Sequence, residues 1–235
     1  MTRYDFTTQP NRLDQNTMKW HEAESNPELL ELWVADMDFL PVPEIRDAVI
    51  NYAETHIFGY PYPSEELYQS IINWEKNQHG YAVDKESIVL IEGVVPAIST
   101  AIQAFTKEGD AVLINTPVYP PFARSVRLNN RRLIENSLVK VNGHFEIDFE
   151  QLERDIVEND VKLYVFCSPH NPGGRVWTKE ELTKVADLCQ KHGVLLISDE
   201  IHQDLALYGN KHISMNTISD AYKDFTLVLS SATKT

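Results

Sequence analysis

The strongest constraint on this chain is the alternation of short apolar runs with longer amphipathic stretches. Residues 88–91, 111–115, 163–167, 194–198 and 226–230 are nearly uninterrupted runs rich in Val, Ile and Leu. Such runs suit strands covered on both faces. Between them, residues 44–56, 65–78, 97–107, 122–129, 149–157 and 179–192 carry apolar side chains near helical spacing. Asp148 and Thr178 stand where N-caps belong, and Gly193 where a C-cap belongs. The order strand, helix, strand implies right-handed crossovers and a mostly parallel sheet between two layers of helices, the α/β class. The polar, aromatic stretch 131–147 is the least regular part and reads as a further strand and a hairpin.

Two regions stand outside this rhythm. Residues up to Val42 are irregular and include Pro10, Pro27 and Pro41, with Pro43 just beyond; they read as an arm or part of another domain. At the other end the chain stops at Ser231-Ala-Thr-Lys-Thr235, directly after a strand. The expectation is the front portion of a longer protein.

The 235 residues are 43% hydrophobic and 24% charged, with a formal net charge of −14. That composition suits a folded globular chain. Its acidity argues against nucleic-acid backbones and anionic membrane surfaces as partners. Only Cys167 and Cys189 are present, both inside apolar runs, so buried reduced thiols are expected. The first residues lack the apolar stretch of a signal peptide, and no window is long and apolar enough for a membrane span. A cytoplasmic protein is the expectation.

In open α/β sheets, ligands gather at the carboxyl ends of the strands. The residues that follow the runs are Glu92-Gly-Val-Val-Pro96, Thr116-Pro-Val-Tyr-Pro120, Ser168-Pro-His-Asn-Pro-Gly-Gly-Arg175, Asp199-Glu-Ile-His202 and Ser231-Ala-Thr-Lys234. Gly93 permits close backbone approach, and the Val94 and Val95 N–H groups at a helix start suit an anion such as phosphate. Alone, a glycine there is a turn. Tyr119 between prolines suits a stacking plate, although exposed loop tyrosines are common. Asn171, held between stiff neighbours, presents an amide. Asp199 follows an apolar strand, where a carboxylate needs a donating or positive partner; its plainer role is to cap the next segment. No Gly-x-x-x-x-Gly-Lys or Gly-x-Gly-x-x-Gly loop occurs, and the spacing of Cys167, His170 and His202 matches no zinc pattern, so no metal is expected. Ser168, His170 and Asp199 lack a nucleophile elbow. Lys234, usually a surface charge in such a place, here joins a phosphate cradle, an aromatic plate, an amide and a carboxylate. That set suits a Schiff-base lysine with pyridoxal 5′-phosphate (PLP).

With these residues the sequence resembles fold-type I PLP enzymes of the class I/II aminotransferase superfamily, and within it the MalY/PatB-type cystathionine β-lyase branch. The resemblance also rests on Trp33-Val-Ala-Asp-Met-Asp-Phe39 and Phe58-Gly-Tyr-Pro61. It implies a three-layer α/β/α PLP-transferase-like large domain at 46–235, ending at the cofactor lysine. Residues 1–45 would be an arm and part of a small domain whose C-terminal portion is missing here. It implies that Lys234 bonds the cofactor and shuttles the α-proton, that Asp199 pairs with the pyridine nitrogen, and that Asn171 bonds the phenolic oxygen. Tyr119 would stack on the ring, with His202 near the phenolic oxygen. Val94, Val95 and Ser231 would hold the phosphate, and Tyr60 would reach the phosphate of a neighbouring subunit, implying a homodimer with shared sites. Trp33 and Asp36 would border the substrate entrance. The implied activity is a carbon–sulfur β-lyase converting L-cystathionine or related cysteine S-conjugates to thiol, pyruvate and ammonia. The alternatives are an aminotransferase and a non-catalytic regulator that keeps the fold.

Overall fold

A computed structural model of the chain describes residues 4–13, 15–26 and 28–234; Pro27 and Thr235, named above, lie outside them. The chain divides into two compact units, Met1–Pro63 and Ser64–Thr235.

The first unit contains a 3-10 turn at Met18–Trp20 and helix α1 at Pro43–Thr55, with Pro43 in its first turn, where its missing N–H costs nothing. The irregular stretch before α1 is held by charge. The buried Arg12 guanidinium donates to Asp36 Oδ2 and Asp38 Oδ1, both at 2.7 Å, and Lys19 Nζ donates to Asp38 Oδ2 at 2.7 Å. Trp20 Nε1 adds a third donor to Asp38 at 3.0 Å. These cations hold both carboxyls below their ordinary range against the opposing effect of burial.

The second unit carries α2 (Glu65–His79), α3 (Val94–Phe105), β1 (Ala111–Thr116), α4 (Pro121–Leu128), β2 (Arg132–Ser137), β3 (Val139–Val141), β4 (His144–Glu146), α5 (Phe149–Glu158), β5 (Val161–Cys167), α6 (Lys179–His192), β6 (Leu195–Asp199) and β7 (Thr226–Leu229). The main sheet has the order β2-β1-β5-β6-β7, every pair parallel, while β3 and β4 form a separate antiparallel hairpin. Local chemistry fixes the helix ends. Asp148 accepts from Gln151 N at 3.0 Å, Thr178 and Glu181 form a reciprocal capping box, and Gly193 closes α6 at φ +66°.

The two-residue period of the strands sorts side chains to the two faces. Val112, Ile114, Leu163, Val165, Cys167 and Ile197 pack with Ile98, Ile102, Phe122 and Val126 of α3 and α4. Leu113, Tyr164, Phe166 and Leu196 face the other way, onto Leu152, Ile156, Leu182 and Val185 of α5 and α6. A fully buried side chain of this size contributes about 1.5–3 kcal/mol, so these two clusters dominate the cohesion of the unit. Both cysteines belong to them. Burial pushes the Cys167 thiol up to about 12, and it raises Cys189 as well, so both stay protonated at neutral pH.

The run at 88–91 corrects the reading of the sequence. It is not a strand, because nothing among the described residues pairs with it, and Val89 stays 83% exposed. Apolar composition is not enough where a ladder partner is lacking. The irregular stretch after residue 131 does form a strand and a hairpin, as expected.

Candidate active site

From β1 the chain steps outward to β2, then returns to the other side of β1 as β5. The crevice beyond the carboxyl ends of β1 and β5 is therefore the topological switch point, where open α/β sheets bind ligands. The loops leaving those strands meet there: Tyr119 N donates to Asn171 O at 3.1 Å. The Tyr119 ring is 42% exposed and stands edge-on to Phe122.

The Asn171 loop is held from below by sulfur and imidazole. Asn171 N donates to Cys167 Sγ at 3.3 Å, and the thiol in turn donates to Pro169 O. His170 is buried; its Nδ1 accepts from Gly173 N at 3.1 Å, and burial lowers its pKa to about 4, helped by Arg175. It is therefore a neutral acceptor across the physiological range. Arg175 fastens the far side of the loop to Glu181 at 2.6 and 2.8 Å and to Phe145 O at 2.9 Å. A Cβ on Gly173 would lie 2.5 Å from His170 Nδ1 and 3.2 Å from Phe145 Cδ2. Gly173→Ala should thus lower stability by about 1–3 kcal/mol, the cost of forcing a packed ring aside. Urea unfolding measures it, and an unchanged midpoint would show that the loop yields freely.

Asp199 closes β6 beside Cys167 of β5, and Ser168 N donates to Asp199 O at 2.9 Å. Its side chain is 4% exposed, and Oδ1 accepts from Ile201 N at 3.1 Å. Burial, with the nearby Glu200 charge, pushes its pKa up to about 7 against the one backbone donor. Glu200 next to it is fully buried but well supplied, with Ser198 Oγ, Met215 N and His212 Nε2 at 2.8–2.9 Å. His202 is lowered by burial and by the positive charge of Lys234. Lys234 ends a short turn after β7, and Ser231 Oγ braces that turn by accepting from Thr233 N at 3.2 Å.

Val94 and Val95 open α3, with Gly93 at φ +119° before them; Val94 packs in the same cluster as Cys167. At a helix start their N–H groups form an anion-binding end. The second unit thus assembles Tyr119, Asn171, Asp199, His202, Ser231 and Lys234 at one edge of a single sheet. The remaining candidates, Trp33, Asp36 and Tyr60, lie in the first unit. There Trp33 Nε1 donates to Glu31 at 3.1 Å, Asp36 is bound by Arg12, and Tyr60 is fully exposed. Sequence reasoning did not single out Gln203, which donates to Glu75 in α2 and to Ser230; its partners are too remote in the sequence to signal the contact. Among the described residues, no cluster of His, Cys, Asp or Glu side chains could hold a metal ion, and no helix is long and apolar enough to cross a membrane.

A parallel sheet with helices on both faces, and a lysine, a carboxylate and an amide gathered at its carboxyl edge, defines a class, and comparison agrees. Residues 27–235 match the aminotransferase class I and II pattern, and the chain belongs to that family. It is 40% identical over 234 residues to cystathionine β-lyase PatB of Bacillus subtilis, covering 98% of this chain and 60% of that one. Among solved structures it superposes on cystalysin from Treponema denticola, which contains a PLP cofactor, with a TM-score of 0.93 at 38% identity, covering 99% of this chain and 60% of that one. The PLP-bound C–S lyase from Staphylococcus hominis follows at 0.92 and 31%, with the same coverage. The chain therefore spans about 60% of the length of the relatives it matches.

Proposed function

We propose that this chain carries most of the active site of a PLP-dependent carbon–sulfur β-lyase acting on L-cystathionine or a related cysteine S-conjugate. The observation that carries the reading is Asp199: a buried carboxyl at the switch-point edge, pushed up to about 7, with Lys234 following the adjacent strand. Such a carboxyl suits a protonated ring nitrogen, which would supply the positive partner that burial demands. The other residues fit the same group. Tyr119 offers a ring face, Asn171 an amide, and Ser231 with the Val94 and Val95 N–H groups a phosphate seat. When bound, PLP supplies the electron sink that stabilises negative charge on the substrate Cα.

The protein does the rest. Asp199 keeps the ring nitrogen charged by holding its own negative charge against burial. Asn171 and His202 orient the phenolic edge, and Tyr119 fixes the ring plane. Lys234 would hold the cofactor through its amine and, as a free base, would take the proton from the substrate Cα. The thiolate would leave Cβ with the electron pair of the C–S bond, and water would hydrolyse the released enamine to pyruvate and ammonia. In this reading Trp33 and Asp36 border the substrate entrance, and residues 46–235 belong to the cofactor domain. Tyr60 reaches the phosphate of a second copy, which makes the enzyme a homodimer, and it works in the cytoplasm. The activities for which PatB and the Staphylococcus lyase are named support the lyase over its nearest competitor.

That competitor is amino transfer, favoured by the family pattern itself. The two separate on one measurement: pyruvate release from L-cystathionine by the full-length, PLP-loaded protein with no keto acid added. Sustained multiple turnover is expected. Turnover only when a keto acid is supplied would replace the lyase reading with the aminotransferase.

A further inference from the structure

The residue leading into the Lys234 turn is tied to helix α2 by one buried amide. Gln203 is 3% exposed, and its Nε2 donates both to Glu75 Oε1 in α2, at 2.7 Å, and to Ser230 Oγ, at 2.8 Å. An amide nitrogen has two hydrogens, and both are committed. Glu75 is itself buried, and burial raises its pKa against the pull of the Gln203 hydrogen bond. The backbone reinforces the link: Glu200 N donates to Leu229 O at 2.8 Å, and Gln203 N donates to Glu200 O at 2.8 Å. Ser230 immediately precedes Ser231 and lies four residues before Lys234.

We propose that Glu75 and Gln203 are positioning residues that hold Ser230 in place and thereby preorganise the Ser231–Lys234 turn for the cofactor. Gln203 is the hinge of the arrangement, because its one amide nitrogen touches both ends. Glu75 serves as an acceptor that fixes the rotamer of the Gln203 amide, so an uncharged acceptor of the same shape should serve as well. Ser230, by accepting, has its own hydroxyl hydrogen turned away from Gln203. The inference rests on the proposed role of Lys234, but the tether itself can be tested without the cofactor.

The experiment uses four variants of the full-length protein: Ser230→Ala, Gln203→Leu, Glu75→Leu and Glu75→Gln. Amide hydrogen exchange over 230–234, measured without PLP, should quicken about tenfold in the first three and stay near wild type in Glu75→Gln. The dissociation constant for added PLP should rise by about threefold to tenfold in the same three variants and not in Glu75→Gln. Ser230 is exposed, so Ser230→Ala removes the tether without opening the core and decides the matter if a core variant fails to fold. Unchanged exchange and unchanged PLP affinity in Ser230→Ala would overturn the proposal. So would equal losses in Glu75→Gln and Glu75→Leu, since the carboxylate charge would then be what matters. If wild type binds no PLP through Lys234, the functional reading fails, while the exchange rates still decide the tether.

Discussion

Lys234→Ala should cut pyruvate formation by at least about 10³-fold, the largest effect expected of any single change here. Two losses combine in it. On the proposed reading, the variant loses both the amine that would hold the cofactor and the base that would move the Cα proton, a role worth about 10²–10⁴-fold by itself. The short turn at Ala232–Lys234 leaves Lys234 half-buried at the sheet edge, beside His202, whose pKa its charge helps to lower. A steady-state assay with saturating PLP reads the effect. A variant retaining a tenth of wild-type turnover would remove Lys234 from the chemistry.

Asp199→Asn should be the next most damaging, lowering turnover by about 10²-fold or more while stabilising the cofactor-free protein at high pH. The sign follows from the raised pKa. Near pH 4 the folded chain keeps this proton and the unfolded chain has begun to lose it. As pH rises to about 7 the folded carboxyl must also ionise in its buried place. Between those values the folded state binds more protons than the unfolded, so stability falls with rising pH and levels off above the window. A shift from the ordinary 3.8 to about 7 sets an upper bound on the order of 4 kcal/mol. Asparagine cannot ionise, so it escapes this loss. Urea unfolding of both proteins at pH 4 and pH 8 is the check. The variant should gain on wild type only at the higher pH, and an equal difference at both would show that Asp199 is not the source.

Much of this molecule was legible in its residues, for reasons that are local. Uninterrupted apolar runs marked strands buried on both faces, and Asp148, Thr178 and Gly193 marked helix ends through bonds within three or four positions. What failed was non-local. Residues 88–91 have the composition of a strand, but a ladder partner decides, and none is present among the described residues. The order β2-β1-β5-β6-β7 was also hidden, because nothing in a parallel strand states which neighbour it takes, and with it the switch point between Tyr119 and Asn171. The strand-end rule recovered the groups themselves, since each follows its strand directly. It could not reveal Gln203 and Glu75, whose contact spans 128 positions. In Trp33-Val-Ala-Asp-Met-Asp-Phe39 the sequence showed two acids, and the structure shows what they hold: Arg12 and Lys19.

The two sulfurs in the sheet clusters have a practical consequence. Alkylating and maleimide reagents attack thiolate, and Cys167 and Cys189 offer neither thiolate at neutral pH nor a path through the packing around them. The wild-type chain is therefore a silent background for bioconjugation. A single cysteine introduced at an exposed position, Tyr208 for instance, would be the reactive thiol among these 235 residues and would take a fluorophore or spin label stoichiometrically.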